Sequence, residues 1–220
     1  MKERSLEVWG EFKLPEPVRA LKRTRLGMQR SSFPSAKCKR VWNLESSIEL
    51  DYAHFLEWSS DVLQYVPQPM VVDILQAGRR RTYVPDFLHL AKDQRRVVTE
   101  IKPSGWDESP QLLDKYRVCH SELQRLGYDF QVVTDTDIRG DELHRNLRHL
   151  YPCFKGITGG EILSVITGLS MLNYGRGSVR QLMGLAEAPS YKACAAYAYQ
   201  NWSDIFSTPF TTNSVLELEG

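Results

Sequence analysis

This 220-residue sequence has little to staple itself together with. It contains four cysteines, Cys38, Cys119, Cys153 and Cys194, spread far apart. No Cys-x-x-Cys pair or Cys/His cluster has zinc-ligand spacing, which excludes a structural zinc site, and the cysteines read as free thiols in a reducing compartment. Also absent are an apolar run long enough to cross a bilayer and a signal-peptide pattern, so the expectation is a cytoplasmic protein of bacterial type with no membrane partner. There is no internal repeat and no low-complexity tract. Net charge is nearly missing as well, at +1, and by itself says little about partners.

The distribution of that charge is uneven. Residues 1–42 carry eleven Lys or Arg against four acids, a surplus of +7, and the remainder of the chain is −6. A basic arm on a mildly acidic body suits a polyanionic partner, and Lys22, Arg23, Arg25, Lys37, Lys39 and Arg40 are its candidate DNA-binding residues. An irregular solvated segment would have the same composition. Pro15, Pro17 and Pro34 break any periodicity there, leaving at most a short helix near 18–25.

Regular structure is expected from residue 43 onward. Asn43, Ser46 and Ser47 are candidate N-caps, and Ile48, Tyr52, Phe55 and Leu56 recur at helical spacing, which predicts a helix over Ser47–Trp58. Pro67 and Pro69 hold Gln68 extended. Strands are expected over 70–75, 82–90 and 96–102, with turns at 76–79 and 92–94. Ser109-Pro110 opens a helix whose apolar face is Leu112, Leu113, Tyr116, Cys119, Leu123 and Leu126, with Gly127 at its C-terminal cap. A strand over 130–134 and a helix over 140–150 complete an α/β layer around a mixed sheet, a catalytic domain over 43–155. Beyond the boundary at 151–155, helices over 160–172, 178–185 and 191–199 and a β-ribbon within 204–218 have the layout of a winged helix over 156–220.

The informative chemistry lies on two neighbouring strands, as Val84-Pro85-Asp86 and Glu100-Ile101-Lys102. Side chains alternate along a strand, so Glu100 and Lys102 share one face and Ile101 points into the core. The turn at 92–94 makes the strands antiparallel and sets Asp86 beside Glu100. Two close carboxylates repel, and a divalent cation removes the conflict. Mg²⁺, for which Mn²⁺ substitutes, takes such hard oxygen ligands and activates water for attack on a phosphate. Lys102 would orient the nucleophile or hold the phosphate. Pro-Asp followed by acid-x-Lys on a hairpin is the pattern of the restriction-endonuclease-like nucleases. A Glu-x-Lys tripeptide alone reads more simply as a surface salt bridge. A fourth acid is expected on the first helix, where Glu45, Glu49 and Glu57 compete.

The stretch from residue 43 to 135 resembles the TnsA endonuclease subunit of heteromeric cut-and-paste transposases. The resemblance rests on Ser46-Ser47-Ile48-Glu49-Leu50-Asp51, Phe55-Leu56-Glu57-Trp58, Asp61-Val62, Gln68-Pro69, Tyr83-Val84-Pro85-Asp86-Phe87 and Val98-Thr99-Glu100-Ile101-Lys102-Pro103. It implies a restriction-endonuclease-like core followed by a winged helix, whose own sequence match is weak. It also implies catalytic residues Glu49, Asp86, Glu100 and Lys102, with Mg²⁺ at Glu49, Asp86, Glu100 and Ile101. Some members have glutamine in place of Glu100; glutamate is the stronger metal ligand. The implied activity is cutting the 5′ ends of a transposon in double-stranded DNA while a DDE transposase subunit processes the 3′ ends. The C-terminal domain is implied to contact that transposase and an AAA+ regulator, in a nucleoid-associated complex.

Two other readings remain open, since one fold serves many substrates: another nuclease of the same fold, in restriction or DNA repair, and a non-catalytic adaptor of a transposition complex. His54 and Gln68 are read as structural, and Trp58, Trp106 and Trp202 as core or interface anchors. Ser104-Gly105-Trp106-Asp107 reads as a loop near DNA. The Ala-rich helix opening at Tyr191 and Lys192 is the candidate recognition helix, with Tyr191, Ala195, Ala196 and Tyr199 as its contact face.

Overall fold

The computed structural model describes residues 15–18, 31–106 and 109–218. The expected helix near 18–25 falls outside them apart from Val18, as do Lys22, Arg23 and Arg25. The chain divides into two compact units, one of residues 1–50 and 59–135, the other of 51–58 and 136–220.

The first unit opens with a hairpin where an irregular arm was expected. Strands β1 (Ser31–Ser35) and β2 (Arg40–Leu44) pair antiparallel with Phe33 opposite Trp42. The hairpin buries Phe33, Ser35, Trp42 and Leu44 and leaves Ser32, Val41 and Asn43 outside, a period-two pattern that the interspersed serines and Pro34 conceal. Helix α1 (Ser47–Trp58) follows with the expected bounds, but its apolar face differs. Glu49, Asp51, His54 and Glu57 are buried with Tyr52, Ala53 and Leu56, while Phe55 is exposed.

A strand missed for its closing prolines, β3 (Val62–Pro67), forms one edge of the main sheet. Strand β4 (Val72–Gln76) pairs with β5 (Arg79–Tyr83) in a separate two-stranded sheet. The expected strand over 82–90 is therefore broken: β5 ends at Tyr83, and β6 (Phe87–Ala91) begins only after Val84-Pro85-Asp86. Proline has no N–H for a ladder, so the break falls where one would be needed. Strand β7 (Arg96–Lys102), helix α2 (Pro110–Arg125) and strand β8 (Asp129–Thr134) complete the unit. The sheet runs β3-β6-β7-β8, antiparallel except for the β7–β8 pair. That parallel pair requires a crossover, which α2 supplies. Gly127, at φ +81, turns the chain out of α2. This is a mixed α/β layer, with β7 buried from Val97 through Ile101 because it is covered on both faces.

The second unit holds Asp51–Trp58 of α1, then α3 (Asp135–Arg139, from Thr136 on) and α4 (Leu143–Lys155). These replace the single helix expected over 140–150, and residues 151–155, read as a boundary, are helical. Helix α5 (Gly159–Ser170) starts on a capping box between Thr158 and Glu161. A 3₁₀ turn (Asn173–Gly175), β9 (Arg176–Ser178), α6 (Val179–Met183), α7 (Tyr191–Asn201) and β10 (Val215–Glu217) follow. The terminal ribbon expected within 204–218 does not pair with itself; β10 pairs with β9. Asn146, wholly inside, gathers the C-terminal loop by donating to the Ile205 and Thr208 carbonyls at 2.7 and 2.8 Å and accepting from the Phe210 N–H at 3.0 Å.

Helix α7 corrects a functional expectation. Ala193 through Tyr199 are all buried, and α7 packs against α4 and α5. A helix apolar all round is a core element, so Ala195, Ala196 and Tyr199 offer no contact face. Among the described residues no helix is long and apolar enough to cross a membrane.

Candidate active site

Strands β6 and β7 and the first turn of α1 bring the expected acids together inside the first unit. The Asp86 carboxylate follows the break before β6, and its Oδ2 accepts the Ile101 N–H at 2.7 Å. Its backbone is held from the other side by Gln68, buried at φ +49, whose N–H donates to the Asp86 carbonyl at 2.8 Å. Gln68 is thus structural, and it fixes the stretch that carries Asp86. Asp86 Oδ1 has no hydrogen bond among the described residues.

Glu100 is 4% exposed, and three donors converge on it. Tyr83 gives its hydroxyl to Oε2 at 2.5 Å, Tyr116 gives its hydroxyl to Oε1 at 3.0 Å, and Lys102 Nζ lies 2.7 Å from Oε1. The bland reading of Glu100 and Lys102 as a solvated surface pair fails on this burial. An ion pair forms, but inside, where removing one partner strands the other. Tyr83 and Tyr116 were not singled out from sequence. The signal existed only in part: Tyr116 lies on the predicted apolar face of α2 with a hydroxyl that needs a partner.

Glu49, 8% exposed, holds the start of α1. Its N–H donates to Ser46 Oγ at 3.1 Å, while its carboxylate accepts from Ser46 Oγ and from the Glu45 N–H, both at 3.0 Å. Ser46-x-x-Glu49 is therefore a helix-start device. Glu49 also adds negative charge at Asp86. Burial raises the Asp86 pKa to about 8, with the Glu100 and Glu49 charges adding to it; the Ile101 N–H and Lys102 act in the opposite direction. Glu57, a competitor from sequence, instead accepts from the Tyr151 hydroxyl at 3.2 Å in the second unit. His54 packs edge-on against Tyr151, and burial lowers its pKa to about 4, so it stays neutral as a structural residue.

Burial keeps the Tyr83 and Tyr116 phenols protonated, far above their usual range, and the Glu100 charge strengthens the effect. Both therefore act only as donors to Glu100. Lys115 Nζ lies 4.4 Å from the Tyr83 ring centroid and 4.9 Å from that of Tyr116, and Trp106 packs edge-on against Tyr116.

The remaining expected residues are placed differently. Ile101 is buried and apolar, and its N–H is donated to Asp86, so it has only a carbonyl to offer a metal. Lys37 donates to the Ser59 carbonyl at 2.7 Å, and Arg40 pairs with Glu16 at 2.5 Å and lies over the Trp42 ring. Both are engaged by other parts of the first unit. Lys39 sits exposed at the hairpin turn with φ +52. Among the described residues no group of three or more His, Cys, Asp or Glu side chains is gathered tightly enough to hold a metal ion as it stands. The donor chemistry nonetheless fits a hard divalent cation: carboxylates short of positive charge, one oxygen of Asp86 unbonded, and a raised pKa that cation binding would reverse.

The sheet thus sets the part-buried Asp86, just before β6, beside the buried Glu100 and Lys102 of β7. More narrowly, residues 59–135 match the family model described as TnsA-like endonuclease N terminal. That segment is therefore similar to a TnsA-like endonuclease domain, and the match spans Asp86, Glu100 and Lys102 while stopping short of Glu49. No curated protein matches the chain.

Proposed function

We propose that this chain is the endonuclease subunit of a cut-and-paste transposition complex, cutting the 5′ strands at the transposon ends with Mg²⁺ while a DDE transposase acts on the 3′ strands. One observation supports this above the rest: Asp86, Glu100 and Lys102 converge in the segment that matches the TnsA-like endonuclease domain.

Asp86 and Glu100 would hold the cation, with Glu49 and the Ile101 carbonyl as further oxygen donors. A bound divalent ion supplies Lewis-acid activation of water and neutralises charge that builds on the phosphate. The chain's own residues do the rest. The Ile101 N–H aims one Asp86 oxygen and leaves the other open. Tyr83 and Tyr116 hold Glu100 in one rotamer. Lys102, a quarter exposed, has an ammonium that exchanges its Glu100 contact for a phosphate oxygen or for the attacking water.

The second unit is assigned to partner binding. We read its order of helix, strand, two helices and a returning strand (α5, β9, α6, α7, β10) as that of a winged helix. With α7 buried, partner contact falls to other faces, and α5 and the 3₁₀ turn leave Leu163, Ile166, Met171 and Tyr174 exposed. The transposase and an AAA+ regulator are the partners proposed.

The test is 5′-strand cleavage of transposon-end DNA with and without the transposase. Wild type should cut with its partner present and poorly alone, and Asp86→Asn and Lys102→Ala should not cut. Partner-independent, sequence-specific cutting would favour an autonomous nuclease, and full activity of Lys102→Ala would overturn the site.

A further inference from the structure

The β4–β5 hairpin carries three consecutive arginines, Arg79, Arg80 and Arg81, all exposed and none with an acidic partner among the described residues. Its turn is Ala77-Gly78 with φ +48 and +71. Two positive-φ residues make a type I′ turn, the tight kind that matches strand twist and holds a hairpin in register. Pairing places Ile74 opposite Arg81 and Leu75 opposite Arg80. Cross-strand partners share a face, so Arg79 and Arg81 lie on the side of the buried Val72 and Ile74, and Arg80 on the other.

Val72 and Ile74 seat the hairpin against α2, and Gln76 Nε2 donates to the Gln111 carbonyl at 2.7 Å. Between hairpin and helix lies a groove of about 550 Å³ lined by Arg81, Gln76, Ser109, Gln111, Asp114 and Lys115 among others. The first turn of α2 and the Lys115 ammonium face it. Asp114 is engaged by Arg117 at 2.7 Å, and Asp73 lies opposite Thr82 on the far face. A groove lined by Arg81 and Lys115, whose one acid, Asp114, is engaged by Arg117, suits an anionic ligand.

The hairpin also reaches the acidic cluster through one strand. Tyr83 closes β5 and gives its hydroxyl to Glu100. Arg81 is two residues earlier on the same face, roughly 7 Å along the strand. We propose that the β4–β5 hairpin is a phosphate-gripping arm that holds the backbone of the DNA beside the cleavage site, through Arg79, Arg80 and Arg81. Arg81 and Lys115 contact the phosphates nearest Glu100. The basic charge thus sits where the strand is cut as well as in the N-terminal segment. This deepens the nuclease reading and rests on it.

The test is duplex binding by the full chain without divalent cation, read by fluorescence anisotropy across a salt series. Each phosphate contact contributes about 0.9 to the slope of log affinity against log salt, so replacing all three arginines with alanine should reduce the slope by about 2.7. Affinity at moderate salt should fall at least tenfold, and the triple arginine-to-lysine variant should keep most of the slope. Should the triple alanine variant fail to fold, Arg80→Ala, on the face away from α2, gives the same readout with a drop of about 0.9. An unchanged slope, or wild type with no salt-sensitive binding, overturns the arm. Asp86→Asn that binds normally and does not cut bears on the catalytic reading alone, so the two fail separately.

Discussion

In the second unit Asp51 is wholly buried, and two arginines reach it: Arg139 at 2.6 Å and Arg148 at 3.3 Å. In the first unit Glu100 is buried and Asp86 partly so, and among the described residues Lys102 is the one cation that pairs with these two acids. The first arrangement carries more positive than negative charge and is complete as a structural clasp. The second is short of positive charge, and its Asp86 proton is held far above the usual carboxylate range. Burial alone does not distinguish a structural acid from a functional one; the charge left over does.

The comparison breaks most clearly in activity. Asp86→Asn and Lys102→Ala should each lower 5′-strand cleavage by ~10³-fold, since each removes a group acting at the developing charge. An Asp51→Asn protein that still folds should cut within a few-fold of wild type.

Stability should show the reverse. Asp51→Ala leaves Arg139 and Arg148 beside an empty buried position. Breaking a buried pair costs about 3–5 kcal/mol, and the partial exposure of both arginines brings the expectation to the lower end. Urea unfolding reads this directly, and a loss below about 1 kcal/mol would make the clasp incidental.

Asp86 should stabilise with the opposite sign and with a pH dependence. Its folded pKa is raised, so the folded state binds the proton more tightly than the unfolded chain does. The stability it contributes is full below about pH 4 and is lost as pH rises towards 8. Metal-free Asp86→Asn should therefore be more stable than wild type at pH 8.5, by on the order of 1–2 kcal/mol once the coupling to Glu100 is allowed for, and nearly equal at pH 4. Equal melting temperatures at both pH values would remove the charge shortage. The smallest effect belongs to Tyr83→Phe. It deletes one of three donors to Glu100 and should cost about 1 kcal/mol, with a modest loss of cleavage.

Strand β7 and helix α2 were legible because their signals are local. Glu100-Ile101-Lys102 alternates within one strand, and Ser109-Pro110 and Gly127 bracket α2 by backbone chemistry alone. What stayed hidden depends on distant partners. The serines and Pro34 of β1 look like loop until Trp42 pairs across from Phe33. Helix α1 buries Glu49, Asp51 and Glu57 because hydrogen-bond and ion-pair partners satisfy them, and no apolar periodicity encodes that. Alanines in α7 read as a small exposed face until α4 and α5 cover them. Tyr83 and Tyr116 lie 17 and 16 residues from Glu100 in sequence, and only the fold brings their hydroxyls to it.

The most direct measurement is calorimetric titration of Mn²⁺ into wild type and Asp86→Asn near pH 7, in two buffers of different ionisation enthalpy. Wild type should bind, releasing protons as Asp86 gives up its own, with affinity rising as the pH is raised towards 8. Asp86→Asn should bind at least tenfold more weakly and release none from that position. Equal affinity and equal proton release by both proteins would contradict the assignment of Asp86 and Glu100 as the cation site.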